Sequence, residues 1–348
     1  MARSGLLRLL KTIVLSPLYT LQIFSTAKSF RKNPILGNER LNRRGLHIWR
    51  VKLAAKIAAS RRRKLQHLVP EEERNFFAEN GYIERRNLLP EAAFRKLVAE
   101  IDALEAPALE MKEGAAVTRR MPLWPGILGD SPTIRALLDD SSWLNAVRYV
   151  GGFNSEPLVS VQTIFGTPSV HLDKKDPQTN LHMDTFHPTV KAWYFLHDVP
   201  EDEGPFTYVA GSHKLTRRRL AWQKRMSISA ARAKSGGAFR ISRSMLKRLH
   251  LPPPTAFAVP ANTLIIGDTF GFHARGYSAR PSIRVEIYTS QRLNPFLPFV
   301  GPDLARLPFV RGCKQTLAWH VENLATRLGL YRSPMRLIGK VRPRQPRT

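Results

Sequence analysis

Hydrophobic positions change period part-way along the chain. Between residues 70 and about 150 they recur at helical spacing, with Phe94, Leu97, Val98, Ile101 and Leu104 on one face and Pro70 and Pro90 where first turns begin. "DSPTIRALL" and "SSWLNAVRYVGG" predict two more short helices with Ser caps, the second ended by Gly151. After residue 155 short runs rich in β-branched and aromatic residues take over: "LVSVQTIFG" (158–166), "KAWYFLHDV" (191–199), "FTYVAGS" (206–212), "TLIIGD" (263–268) and "SIRVEIYTSQ" (282–291). Pro, Gly and Asp turns separate them. Helices first and many short strands afterwards predict an α+β chain whose second half is a β-sandwich or jelly roll. Residues 214–248 interrupt the strands and are expected to form a helical insertion.

The amino-terminal pattern differs. Leu6, Leu9, Leu10, Ile13 and Val14 share one side of a helix with Arg8 and Lys11 opposite, as in helices lying in a membrane interface. The longest uncharged run, Thr12 to Ala27, is 16 residues and contains Pro17, whereas a span needs about 20. A cleaved signal ending near "STAK" and an ordinary packed helix are the alternatives. Leu46, Trp49, Leu53 and Ile57 predict a second amphipathic helix, ending in Arg61-Arg62-Arg63-Lys64. Its stripe suits either the core or lipid.

Charge sharpens this division. The formal net charge is +28, and residues 1–64 hold 16 Lys/Arg against Glu39 alone. Residues 214–248 hold 12 basic and no acidic residues, and 303–348 hold ten against two. Residues 65–213 carry 13 basic and 22 acidic side chains, a balance of −9. An enzyme core with basic docking surfaces is the expectation, although lipid, nucleic acid and phosphorylated substrates all answer to such a field. Cys313 is the only cysteine, which excludes an intrachain disulfide and thiolate clusters and fits a reducing compartment.

"NLHMDTFHP" (180–188) puts two imidazoles and a carboxylate within six positions. On a strand His182 and Asp184 would project together with Met183 opposite, which makes two legs of a 2-His-1-carboxylate triad. His273, after the apolar strand and turn of "LIIGDTFGFH", is the candidate third leg. Eleven positions later stands Arg284, whose planar guanidinium could clamp a carboxylate. The alternatives are core histidines satisfied by hydrogen bonds and an ordinary strand arginine paired to Glu286. His187 and His213 are taken as loop residues.

His182-x-Asp184, "DVPEDEGPFTYVAGSHK" (198–214), and His273 with Arg284 eleven positions on together resemble the phytanoyl-CoA dioxygenase (PhyH) family of Fe(II)/2-oxoglutarate oxygenases. The resemblance covers about 155–295. It implies a double-stranded β-helix (jelly roll, cupin-like) core flanked by helices, with Fe(II) held by His182, Asp184 and His273. It also implies 2-oxoglutarate with its far carboxylate on Arg284, and O2 as the oxidant. Gln162 is a second candidate contact for 2-oxoglutarate. Arg275 stands where relatives often carry a small hydroxyl residue, and "AGSH" (210–213) replaces their "PGSH". Related halogenases need a small residue in place of the aspartate, so Asp184 points to oxygen insertion.

The resulting expectation is a basic extension (1–65), a dioxygenase domain (66–300) with its insertion (214–248), and a basic tail (301–348). It hydroxylates a C–H bond of an anionic, lipid- or CoA-linked substrate. The location expected is cytoplasmic, peripheral on the inner membrane through an anionic surface. The rival reading is a non-enzymatic basic protein gripping nucleic acid or membrane; nucleic acid is less favoured because aromatic residues are sparse among the basic runs.

Overall fold

A computed structural model describes residues 16–114, 116–168, 178–302, 312–329, 331 and 333–346. The amphipathic pattern of Leu6 to Val14, and part of the basic tail, lie outside the described residues. The elements run α1 (Ser16–Leu21), α2 (Glu39–Arg43), α3 (Leu46–Lys64), α4 (Glu71–Asn80), β1 (Tyr82–Arg85), α5 (Glu91–Ala103), β2 (Ala106–Glu113) and β3 (Ala116–Pro122). They continue with α6 (Pro132–Asp139), α7 (Ser141–Gly151), β4 (Leu158–Gly166), β5 (Val190–Phe195), β6 (Phe206–Tyr208), α8 (Arg217–Ala233) and α9 (Arg243–Arg248). The chain closes with β7 (Thr255–Ala256), β8 (Thr263–Asp268), β9 (His273–Arg275), β10 (Ser282–Gln291), α10 (Cys313–Arg327) and β11 (Arg336–Val341).

Antiparallel pairing arranges the strands in a major sheet, β1-β8-β5-β10-β4-β3-β2-β11, and a minor sheet, β7-β6-β9. The architecture is the expected jelly-roll core with flanking helices. Each central strand has two covered faces. Val161, Val285, Ile287, Ala192 and Tyr194 pack with Leu97 and Ile101 of α5 and Trp143 and Val147 of α7. On the other face Trp193, Phe195, Phe206, Tyr208, Phe257 and Tyr288 form an aromatic cluster between the sheets. Two-sided burial explains why β8 reads as an unbroken apolar run, with every residue buried.

The pattern places β4, β8 and β10 at their observed ends, and α5 buries Phe94, Leu97 and Ile101 as expected. Four expectations need correction. The stretch 106–122, taken as helical, is the hairpin β2–β3. Its Ala, Glu, Leu, Met and Lys residues favour helix locally, but β3 pairs with β4 over seven positions and that tertiary pairing prevails. Second, the runs 191–199 and 206–212 contain shorter strands, ending at Phe195 and Tyr208, where their ladder pairing stops. Third, the cap of α7 is Asp140, whose Oδ1 accepts from Ser142 N at 2.7 Å, and Ser131 makes no side-chain cap bond to α6. Fourth, α3 buries Val51, Ala54, Ala58, Arg50 and Arg61 and leaves Trp49 exposed, so its inward face is displaced from the Leu46/Trp49/Leu53/Ile57 stripe.

The described part of the amino-terminal extension packs on the core. Arg50, 2% exposed, donates to the carbonyls of Ile23, Ser25 and Ala27 and lies 3.9 Å over the Phe186 ring. Arg61 donates to the Gly152, Pro295 and Leu297 carbonyls. Arginine, with five donors in a rigid fork, can satisfy several buried carbonyls at once. Part of the basic excess is therefore internal. The insertion is helical, as expected, and α8 buries Trp222, Gln223 and Ser227 against this region.

Candidate metal centre

Two backbone hydrogen bonds unite ligands 91 residues apart. His182 N donates to His273 O and His273 N to His182 O, both at 3.0 Å, an isolated antiparallel bridge. His182 and Asp184 thus lie on a bridge and a bend, not on the regular strand expected. The alternation survives all the same. Met183 N bonds Phe239 O, and its side chain is buried in the cluster beneath the insertion, while its two neighbours face the opposite way. Asp184 N donates to Thr269 O at 3.1 Å, tying the bend to the end of β8.

Among the described residues, His182, Asp184 and His273 form a group whose ligand atoms lie within 4.8 Å of one another. Asp184 Oδ1 is 3.7 Å from His182 Nε2 and 3.6 Å from His273 Nε2. A divalent ion with bonds of about 2.1 Å sets neighbouring ligands about 3 Å apart, so the three side chains stand at a spacing that modest rotations would bring to one ion. Both rings are pre-set for it. Nδ1 of His182 donates to Asn180 O at 2.7 Å and Nδ1 of His273 to Gly271 O at 3.0 Å, which leaves the Nε2 lone pairs facing the carboxylate. His273 Nε2 is buried with no hydrogen-bond partner, an orphan that a metal would satisfy. Burial, and then the His273 ring, push His182 down to about 3, so its imidazole is neutral. Burial alone would raise Asp184, but Lys191 and His273 outweigh it and hold the carboxylate well below its usual range. Two imidazoles and one carboxylate are a donor set that fits a divalent iron.

A pocket of about 120 Å³ adjoins His273. Its wall follows strand alternation: Thr118 and Arg120 on β3, Gln162 and Ile164 on β4, Lys191 and Trp193 on β5, Arg284 and Tyr288 on β10. Register puts Arg120 beside Gln162 and Gln162 beside Glu286. The side chains follow suit: Arg120 Nε donates to Gln162 Oε1 at 2.8 Å, Gln162 Nε2 to Glu286 Oε1, and Arg284 Nε to Glu286 Oε2 at 3.0 Å. Arg284 also donates to Gly204 O. It therefore both lines the pocket and makes the Glu286 pair considered as its alternative. Gln162 is in the pocket wall, with its amide held between Arg120 and Glu286.

Sequence reasoning missed Lys191, whose Nζ is 2.7 Å from Asp184 Oδ2, and Arg120, which lay in a stretch assigned to helix. A lone lysine opening an otherwise apolar central strand was the available signal. It also missed Lys28, whose Nζ donates to the Asp184 carbonyl from the amino-terminal extension. His187 and His213 stay outside the triad, on loops, as expected.

Residues 77–239 match the family model Phytanoyl-CoA dioxygenase (PhyH). The match takes in His182 and Asp184 and stops before His273 and Arg284, which the fold brings to the same triad and pocket. A search of curated proteins gave no match. Among solved structures, the chain is similar to the non-heme α-ketoglutarate-dependent epimerase SnoN from nogalamycin biosynthesis, at 20% identity and TM-score 0.43, over 63% of this chain and 81% of that one. It is also similar to HygX from Streptomyces hygroscopicus with nickel, 2-oxoglutarate and hygromycin B bound (17%, TM-score 0.40, 64% and 86%). A further likeness is to the carbocyclase SnoK from nogalamycin biosynthesis (20%, TM-score 0.37, 64% and 83%). Among the described residues no helix is long and apolar enough to cross a membrane.

Proposed function

We propose that the protein is an Fe(II)- and 2-oxoglutarate-dependent dioxygenase that hydroxylates a C–H bond of an anionic, lipid- or CoA-linked substrate presented at a membrane surface. The observation that carries the reading is the convergence of His182, Asp184 and His273 beside a pocket into whose wall Arg120, Lys191, Arg275 and Arg284 enter. Iron and 2-oxoglutarate bound there would supply, from O2, an oxidant able to take hydrogen from carbon, with succinate and CO2 as co-products.

The chain's own residues do the positioning. The Asn180 and Gly271 carbonyls fix both imidazole tautomers. Lys191 occupies Asp184 Oδ2 and leaves Oδ1 toward the imidazoles. Three ligands on one side leave the opposite side open for small molecules. Arg284 is assigned the far carboxylate of 2-oxoglutarate, with Glu286 fixing its Nε edge. Gln162 is assigned a supporting role through Arg120 and Glu286. An aspartate in the triad, and no small residue, favours oxygen insertion over halide binding. Clustered basic charge supports an anionic substrate and an anionic membrane surface as partner.

The purified protein is expected to form succinate from 2-oxoglutarate only with Fe(II), faster with a membrane lipid extract, and to add one oxygen atom to a lipid-linked product by mass spectrometry. Salt-dependent nucleic-acid binding that survives His182→Ala, with no succinate formed, would instead support the non-enzymatic reading.

A further inference from the structure

We propose that the face built from Leu18, Leu21, Phe24 and Trp49 docks on an anionic phospholipid bilayer; this rests on the oxygenase reading only for what the docking achieves. The four side chains are 49%, 69%, 49% and 44% exposed, and α1 buries none of its residues. Scattered apolar residues on a surface mean little, but Leu18, Leu21 and Phe24 follow one another at three-residue spacing and Phe24 meets Trp49. Phe24 meets Trp49 edge to face at 5.7 Å, joining α1 and the turn after it to α3, and meets Phe296 at 6.0 Å. In sequence the two contributors lie 25 positions apart, so only the fold makes the patch.

Charge selects the occupant. Arg31, Lys32, Arg44, Lys52 and Lys56 are exposed on the same segments. The one acid of residues 1–64, Glu39, is paired to Arg43 and Arg232. A second copy of the chain would bring two such basic surfaces together and be repelled. Nucleic acid would match the charge but gives Leu18 and Leu21 nothing to bury against. An anionic bilayer satisfies both requirements, taking the leucines and the tryptophan at headgroup depth and the lysines and arginines at its surface.

Direct contacts link the face to the segment that carries Asp184. Phe296 stacks on Phe186 at 6.1 Å, Arg50 ties the 23–27 carbonyls to the Phe186 ring, and Lys28 donates to the Asp184 carbonyl. Docking would therefore present a bilayer-borne substrate to a fixed site. Removing residues 1–65 would also remove Arg50, Arg61 and Lys28, so point substitution of exposed side chains is the sound test.

Full-length protein is sedimented with vesicles of phosphatidylcholine, with and without phosphatidylglycerol. The expected result is binding only to the anionic vesicles, weakened at least tenfold in Leu21→Glu/Trp49→Glu, with Ni(II) affinity and sedimentation coefficient unchanged. Brominated phosphatidylcholine in the anionic vesicles is expected to quench tryptophan emission in the wild type and less in Trp49→Phe. Equal vesicle binding by the double variant overturns the proposal, as does equal quenching in Trp49→Phe. So does loss of self-association in that variant without lipid, which would make the patch a homodimer interface. A wild type that binds vesicles but not Ni(II) sinks the oxygenase reading and leaves the docking face standing.

Discussion

Lys191 Nζ lies 2.7 Å from Asp184 Oδ2, while Oδ1 is the oxygen nearest both imidazoles. The lysine divides the carboxylate, reserving one oxygen for itself and presenting the other to a metal. Lys191→Met is expected to lower 2-oxoglutarate turnover about ten- to hundredfold, the usual effect of losing a group that orients a ligand. Ni(II) binding by calorimetry should persist. Full turnover in that variant would show that Lys191 only balances charge.

His273→Ala removes a ligand whose Nε2 has no other partner. Its Ni(II) affinity should fall by more than the roughly hundredfold typical of a lost supporting contact. Ni(II) at a hundred times its Kd should stabilise the wild type by about 2.7 kcal/mol and give no shift in the variant. Equal thermal shifts would place the metal elsewhere.

Arg284→Lys keeps the charge and loses the planar fork. If Arg284 holds the co-substrate carboxylate, the KM for 2-oxoglutarate rises about tenfold or more with a smaller change in kcat, since a charge-assisted contact contributes about 1.5–3 kcal/mol. A fall in kcat alone would assign the residue to Glu286 and the sheet instead.

Arg50→Met leaves the Ile23, Ser25 and Ala27 carbonyls without their shared donor. An unsatisfied buried polar group costs about 1–3 kcal/mol, and because these three carbonyls are half-buried a total loss of about 1–3 kcal/mol is expected in urea unfolding. An unchanged midpoint would mean that segment 23–27 is held by other contacts.

His47 is buried against Gln223 of α8 at 3.0 Å, and burial pushes it down to about 4. The fold therefore favours the neutral ring. Its contribution is complete above the unfolded pKa near 6.5 and is lost as pH falls through about 4. Over that window His47→Gln should flatten the fall of unfolding free energy with decreasing pH by about 1.4 kcal/mol per pH unit. Parallel profiles for the two proteins would exclude His47 from the acid transition.

Much of the fold is written locally. The runs at 158–166, 263–268 and 282–291 became strands with those ends because β-branched residues covered on both faces leave little choice of local structure. The hairpin 106–122 was illegible for the converse reason: its residues suit a helix, and the free energy that makes them strands comes from pairing with β4. Nothing within those seventeen positions carries that information.

The site divides in the same way. Ligand types and the 11-residue step from His273 to Arg284 are properties of the string of residues, and they sufficed to name a ligand set and a carboxylate clamp. Which nitrogens face inward, that Lys191 claims one carboxylate oxygen, that Arg120 and Glu286 share Gln162, and that Phe24 meets Trp49 were decided by the tertiary structure alone. Local pattern reports which face of an element is buried. Which distant elements share that burial is settled by strand register and packing summed over the whole molecule, and the chemistry of this site arises at those non-local contacts.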